Sequence, residues 1–371
     1  MKIIFHVIWV FFIVSSTSGM AYPKIKVIKN NVNYLLIQES TLPIVDINIS
    51  FNTGSKDDGS LKGLTNYAIE LLHQQKVDGE KIIDSFEKIG AIYSSSVGRD
   101  SSSLSVRFVK NDHNINIVSK KLNEIFKGSN LSTSSIEYTR ELISKNIASR
   151  DLNPASIVSY KSDEEFFADT GYAHPISGYM DIVKKINIVD IQRHLKKIIS
   201  IDNIKISIVG DINENETAHF ISKLLNDIPE KNRTTFVKNK LKYEGSDEVK
   251  IINHDSSQTH ILIYIPSVTR QHKNFYNILV ANYIFGGSGF GSMLMQEIRE
   301  NNGLAYSVYS YLLPYKDIGV IKIGMQTESK NTTKALRILQ TEINKLKIFN
   351  IDDKRIEKFY SKSFIKFLSE D

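Results

Sequence analysis

Few side chains in this sequence could do chemistry together. Glu70 and His73 stand three apart and Asn66 lies one turn before Glu70, so on a helix the three share a face on which a divalent ion could be held. A carboxylate, an imidazole and a weak amide make an incomplete ligand set, and a Glu–His pair on an amphipathic helix is also an ordinary solvated contact. His254 and His260 are six apart, and no other histidines have ligand spacing. The run Gly286-Gly287-Ser288-Gly289-Phe290-Gly291-Ser292 precedes a helical segment, as a phosphate cradle would. No Lys-Ser/Thr follows it, and neither Rossmann nor P-loop order surrounds it, so nucleotide binding is not expected. By residue type alone, Arg299 pairs with Glu297 or Glu300 on a surface helix and Tyr306 belongs to a core. The chain has no cysteine, which excludes disulfides, thiolate nucleophiles, Cys-ligated zinc and iron–sulfur clusters.

The elements that must position these residues belong to an ordinary globular chain. It has 371 residues, 41% hydrophobic and 24% charged, enough for two domains at roughly 100 to 200 residues each. Forty-seven basic against 41 acidic side chains leave a net charge of +6. The excess is spread along the chain, so no nucleic-acid partner is expected. Residues 1–21 read as a signal peptide: Lys2, an apolar stretch Ile3 to Val14, then Ser15-Ser16-Thr17-Ser18 and the small-residue exit Gly19-Met20-Ala21. The apolar stretch is short for a bilayer span, and an uncleaved anchor is the alternative. An exported chain without cysteine points to a bacterial periplasm, or secretion, with no membrane span after cleavage.

Strands are expected at Ile25–Ile28, Tyr34–Ile37 and Val45–Phe51, the last alternating Val45, Ile47, Ile49, Phe51 at period two. A helix from Leu64 to about Gln75 carries Leu64, Tyr67, Ala68, Leu71 and Leu72 on one stripe. A second helix, Glu80–Ile89, stops at Gly90. Strands follow at Tyr93–Gly98 and Ser103–Val109, then helices from His113 to Ser200, broken at Pro154 and at Gly171–Gly178, then strand Ile204–Val209. The stretch 230–246 reads as a linker between an N-terminal domain, 22–229, and a C-terminal domain, 247–371. Beyond it the order resumes with strand Ile261–Ile265, helix Lys273–Phe285, the glycine-rich loop, helix Ser292–Glu300 and strands Tyr306–Leu312 and Gly319–Gln326.

A repeat ties the halves together. Glu87 to Ser94 lies over Glu300 to Ser307 at an offset of 306 − 93 = 213, with Glu, Gly, Tyr and Ser coinciding. The expected class is therefore α+β: two related halves, each a mixed, mostly antiparallel sheet packed with helices. A counterpart of Ile204–Val209 would fall near position 417, beyond Asp371, so the second half is expected to be C-terminally incomplete, with a sheet edge left to cover.

Three clusters carry a family resemblance: Gly54-Ser55-Lys56-Asp57 with Gly63-Leu64-Thr65; His174-Pro175-Ile176-Ser177-Gly178 leading to Val209-Gly210-Asp211; and Phe285-Gly286-Gly287 through Gln296-Glu297-Ile298-Arg299 to Gly303-Leu304-Ala305-Tyr306-Ser307. Together they resemble the insulinase/pitrilysin family of zinc peptidases, in the small two-domain form similar to mitochondrial processing peptidase. The resemblance implies a zinc motif H-x-x-E-H after Gly63-Leu64, with two histidines one turn apart on the metal and a glutamate as base. Here the five positions read Asn66-Tyr67-Ala68-Ile69-Glu70, so both histidines and the base are replaced. The positions implied for a third ligand carry Lys145 and Asn146. The resemblance gives His174 a structural turn, and it matches Arg299 and Tyr306 to a pair that holds the substrate carbonyl opposite a partner's zinc. Gly286, Gly287 and Gly289 then border the substrate chamber.

The expected function is thus a non-catalytic subunit of a heterodimeric zinc metallopeptidase. No metal is expected in this chain, zinc is expected in a homologous partner subunit, and the substrate is a peptide or unfolded protein. The alternative is a proteolytically inactive structural or peptide-binding protein of the same fold.

Overall fold

The computed structural model describes residues 24–27, 33–77, 79–128, 131–230, 239–241 and 249–346. The signal-peptide reading, most of the expected linker and residues 347–371 lie outside them.

The first half is built on a six-stranded sheet. Its strands are β1 (Lys24–Val27), β2 (Asn33–Gln38), β3 (Ile44–Phe51), β6 (Ile92–Val97), β7 (Ser102–Val109) and β8 (Ile204–Gly210), after a two-residue hairpin β4 (Lys76–Val77) and β5 (Glu80–Lys81). The order is β1-β2-β8-β3-β7-β6. Among the described strands only the β2–β8 pair is parallel. The late strand β8 thereby enters the middle of the sheet, pairing antiparallel with β3 from Val45↔Gly210 to Phe51↔Ile204. β3 shows why one face is buried: Val45, Ile47, Ile49 and Phe51 are in the core, while Asn48 and Ser50 face outward and bond to Ser105 and to each other.

Helices α1 (Leu64–His73), α2 (Ile82–Glu87), α3 (Asp112–Lys127), α4 (Thr133–Leu152), α5 (Pro154–Phe166), α6 (Met180–Val183), α7 (Ile188–Ile198) and α8 (Glu214–Leu224) complete this half. Tyr67, Ala68, Leu71 and Leu72 of α1 join the core of the sheet, and α1 packs on α4 and α7. Pro154 breaks the helical run as expected: Asn153 closes α4 and its side chain caps α5, where a proline at the first position loses no hydrogen bond.

The second half holds β9 (Gln258–Ser267), α9 (Phe275–Asn282), β10 (Val308–Pro314), β11 (Gly319–Glu328) and α10 (Thr332–Leu346). Its sheet, β10-β11-β9, is antiparallel. By strand order β9, β11 and β10 repeat β3, β7 and β6. Among the described residues, β9 pairs with β11 alone, whereas β3 carries β8 on its other edge. The expected helix Ser292–Glu300 is largely π-helical, over Met295–Asn301, and ends at Gly303 with φ +60°. Gly90 ends its counterpart with φ +67°, as the repeat requires.

The halves meet where α5 lies against β9. Phe166, Phe167 and Tyr172 pack on Ile318 and Val320. At this seam Asp163 of α5 accepts from Arg99 at 2.7 Å, from Tyr264 of β9 at 2.8 Å and from Lys322 of β11 at 2.6 Å.

Candidate functional site

The start of α1 is fixed by a buried polar network. Asp58 accepts from the Gly63 amide at 2.7 Å, the Thr65 amide at 2.8 Å and the Thr65 hydroxyl at 2.5 Å, satisfying amides a helix N-terminus leaves free. Since the Thr65 hydroxyl proton goes to Asp58, its oxygen accepts from His194 Nε2 at 2.8 Å. Burial raises the Asp58 carboxyl to about 7, against the hydrogen bonds from Thr65 and Gly63. It also drives His194 down to about 4. Gly63, φ +99°, is required here, because a Cβ would stand 2.8 Å from the Ser177 carbonyl oxygen. His174 is buried beside this network, its ring nitrogens each 2.9 Å from a carbonyl oxygen, of Pro175 and of Ser55. Burial lowers its pKa to about 4, so the neutral ring donates to one of the two.

The helix so held does not carry a zinc-binding face. Asn66 and Glu70 are half-buried, and Ile69 is sealed in the core. Desolvation raises the pKa of Glu70. Lys145 and Asn146 on α4 are exposed, and Lys145 pairs with Glu141 at 2.7 Å. His73, the only imidazole near Glu70 in sequence, lies tilted by 43° against the ring of Tyr93 of β6 with centroids 4.6 Å apart, and burial lowers its pKa. Among the described residues, no three His, Cys, Asp or Glu side chains converge as an ion would require. An amide, an aliphatic group and one acid do not fit zinc.

The second half presents its residues differently. Arg299 and Tyr306 are brought together, with the guanidinium carbon 5.1 Å from the Tyr306 ring centroid. The same carbon lies 4.6 Å from the ring of Phe290, which the sequence reading did not single out. Neither expected ion pair forms: among the described residues Arg299 has no carboxylate partner, and Glu297 accepts instead from Asn301 and Asn302. Nor is Tyr306 core, being 84% exposed. It borders a cleft of about 500 Å³ between the halves, with Val158 of α5, His260 and Leu262 of β9, and Tyr309. The glycine run is less of an open loop than expected. Tyr283–Gly287 continues α9 as a π-helical turn, with Gly286 buried against Ser310, and Gly289–Gly291 is a 3₁₀ turn. Among the described residues, no hydrogen bond, ion pair or ring contact joins Asn66, Ile69 or Glu70 to Arg299 or Tyr306.

The repeat offset explains what sequence reading overlooked. Since 299 − 213 = 86, the counterpart of the Arg299–Tyr306 pair is Phe86–Tyr93, a stacked pair with centroids 5.1 Å apart and Phe86 fully buried. One geometry therefore serves as buried packing in the first half and as an exposed cation on a ring in the second.

Comparison with known proteins agrees with this architecture. Residues 34–178 match the family model for insulinase (peptidase family M16), and residues 185–360 match that for the peptidase M16 inactive domain. The chain belongs to the insulinase family, peptidase family M16. An uncharacterized zinc protease of Bacillus subtilis, YmxG, is 22% identical over 332 residues, 89% of this chain and 80% of the relative. A Helicobacter pylori relative, called a non-peptidase homolog, is 23% identical over 233 residues, 61% of this chain and 52% of its own. The fold superposes with a TM-score of 0.85 on the peptidase M16 inactive domain of Pseudomonas fluorescens, at 22% identity, covering 91% of this chain and 82% of that one. This M16 chain thus keeps the two-half fold of the family with a first half that offers only an incomplete zinc ligand set at the motif.

Proposed function

We propose that the chain is a non-catalytic subunit of a heterodimeric insulinase-family metallopeptidase, with zinc held by a homologous partner subunit. Its own part is to bind and orient an extended peptide or unfolded protein. The observation that carries this reading is a contrast among the described residues between α1, which offers no zinc ligand set, and Arg299, whose guanidinium has no carboxylate partner and lies beside an exposed Tyr306. A guanidinium and a phenol both donate to an oxygen, and such donors matter most where that oxygen gains charge during attack. This chain supplies no nucleophile or base at the motif, so those come from the partner. We place the subunit in the periplasm, or secreted, after removal of residues 1–21, with peptidase-like domains 22–229 and 247–371 joined by 230–246.

The test is to purify the chain with a zinc-bearing homologue from the same genome and assay peptide hydrolysis by each alone and by the mixture. Copurification, activity only in the mixture, and a loss of about 10²–10³ in rate for Arg299→Ala are expected. Failure to associate, with cleavage unchanged by Arg299→Ala, overturns the reading. A second reading, peptide capture without chemistry, is favoured by the edge of β9 that no strand among the described residues covers, where an extended segment could add a strand. Peptide retained by the chain with no stimulation of any zinc-bearing homologue selects it.

A further inference from the structure

Among the described residues, Phe290 belongs to none of the buried hydrophobic clusters of its half. It sits in the Gly289–Gly291 turn and is 68% exposed. Yet it is the ring closest to Arg299, at 4.6 Å against 5.1 Å for Tyr306. The turn is shaped to put it there. Gly289 has φ +66° with open space around it, and the Ser292 amide donates to the Gly289 carbonyl at 2.9 Å, so Phe290 is held on a closed turn. Two exposed aromatic side chains from separate segments thus converge on one cation that lacks an acidic partner among the described residues.

Contacts over the guanidinium plane consume none of its N–H donors, which lie in that plane. Rings on the cation therefore fix its orientation while leaving its hydrogen-bonding edge for a ligand. A carboxylate partner would have fixed the side chain by occupying that edge. In the first half the equivalent pair, Phe86–Tyr93, has a fully buried phenyl in place of the cation and so has no such edge to offer.

We propose that Phe290 is a positioning residue: it holds the Arg299 guanidinium, together with Tyr306, so that its N–H edge is preorganised for a carbonyl oxygen of a bound extended polypeptide. The inference rests on the substrate-binding role given above to Arg299, but not on a zinc-bearing partner.

The test uses the full chain and fluorescein-labelled unfolded casein, read by anisotropy. A cation–ring contact at an exposed site corresponds to about a two- to fivefold change in dissociation constant. Phe290→Ala and Phe290→Leu are expected to weaken binding by about that factor, while Phe290→Tyr and Phe290→Trp retain it. A residue that acts through Arg299 must also lose its effect when Arg299 is gone, so Phe290→Ala in an Arg299→Ala background is expected to change nothing further. A merely structural Phe290 would give additive losses and a lowered melting temperature, and that result overturns the proposal. So does wild-type chain that fails to bind casein, or Phe290→Leu that binds as tightly as Phe290→Trp. Coupling between the two residues without stimulation of a zinc-bearing homologue would leave this inference standing and remove the subunit reading.

Discussion

Replacing Asp163 by alanine is the most informative single perturbation of the fold. Its carboxylate accepts at 2.6 to 2.8 Å from Lys322, Arg99 and Tyr264, and all but Arg99 bridge from the first half to the second. The side chains of Asp163 and Arg99 are 8% and 9% exposed and that of Lys322 is 14% exposed, so solvent screens them little. Alanine removes the carboxylate from two mostly buried cations, leaving Arg99 with the His174 carbonyl and the Tyr264 hydroxyl with the Ser159 carbonyl at 3.3 Å. Breaking a buried pair this way destabilises by about 3–5 kcal/mol. At about 1.36 kcal/mol per power of ten, the folding equilibrium should fall by two to nearly four orders of magnitude. Lys322→Met is the matched control. Asp163 keeps Arg99 and Tyr264 there, and desolvation already lowers the lysine pKa, so a loss below about 1.5 kcal/mol is expected. Urea unfolding followed by far-ultraviolet circular dichroism reads both, since the single tryptophan, Trp9, falls in the stretch read as a signal peptide. Equal losses for the two variants, or less than about 1 kcal/mol for Asp163→Ala, would refute the view that one carboxylate joins the halves.

Three further outcomes follow from the network at α1 and from the glycine turn. His194, down to about 4 from 6.5, is neutral in the fold and charges readily when unfolded, so its contribution is present above about pH 6.5 and lost as pH falls through about 4. Asp58, raised to about 7 from 3.8, acts oppositely, its contribution being present below pH 3.8 and lost as pH rises through about 7. His194→Gln keeps an N–H for Thr65, so between pH 7 and 4 it should lose about 3 kcal/mol less stability than wild type in urea melts; parallel pH profiles would contradict this. Thr65→Val removes the donor to Asp58 and the acceptor for His194 and should destabilise by about 1–3 kcal/mol in thermal melts, with Thr65→Ser restoring most of it. Gly286→Ala places a Cβ 2.6 Å from the Ser310 hydroxyl and 2.8 Å from its amide nitrogen, an overpacking of about 1–3 kcal/mol, whereas Gly289→Ala meets open space and carries only the strain of φ +66°, about 1 kcal/mol; a larger loss at Gly289 would contradict the assignment of Gly286 to packing.

Local patterns in the sequence determined the elements and the fate of the motif. Alternation from Val45 to Phe51 specifies a strand with one buried face, and the stripe through Tyr67, Leu71 and Leu72 specifies a helix with one. Gly90 and Gly303 mark matching helix ends because both need positive φ. The replacement of ligand types at Asn66, Ile69 and Glu70 is also a matter of residue identity, legible without coordinates. What the sequence could not determine depends on which surfaces meet. Insertion of β8 between β2 and β3 joins segments more than 150 residues apart, and no local period encodes it. Asp163 reads as one acid among many on an exposed-looking helix until β9 and β11 bring Tyr264 and Lys322 to it. Aligned tyrosines 93 and 306 read alike, yet one is packed between His73 and Phe86 and the other stands in solvent beside Arg299. Burial is a property of neighbours assembled from distant parts of the chain, so only the tertiary structure could turn the same repeated position into packing in one half and an exposed ring beside a cation in the other.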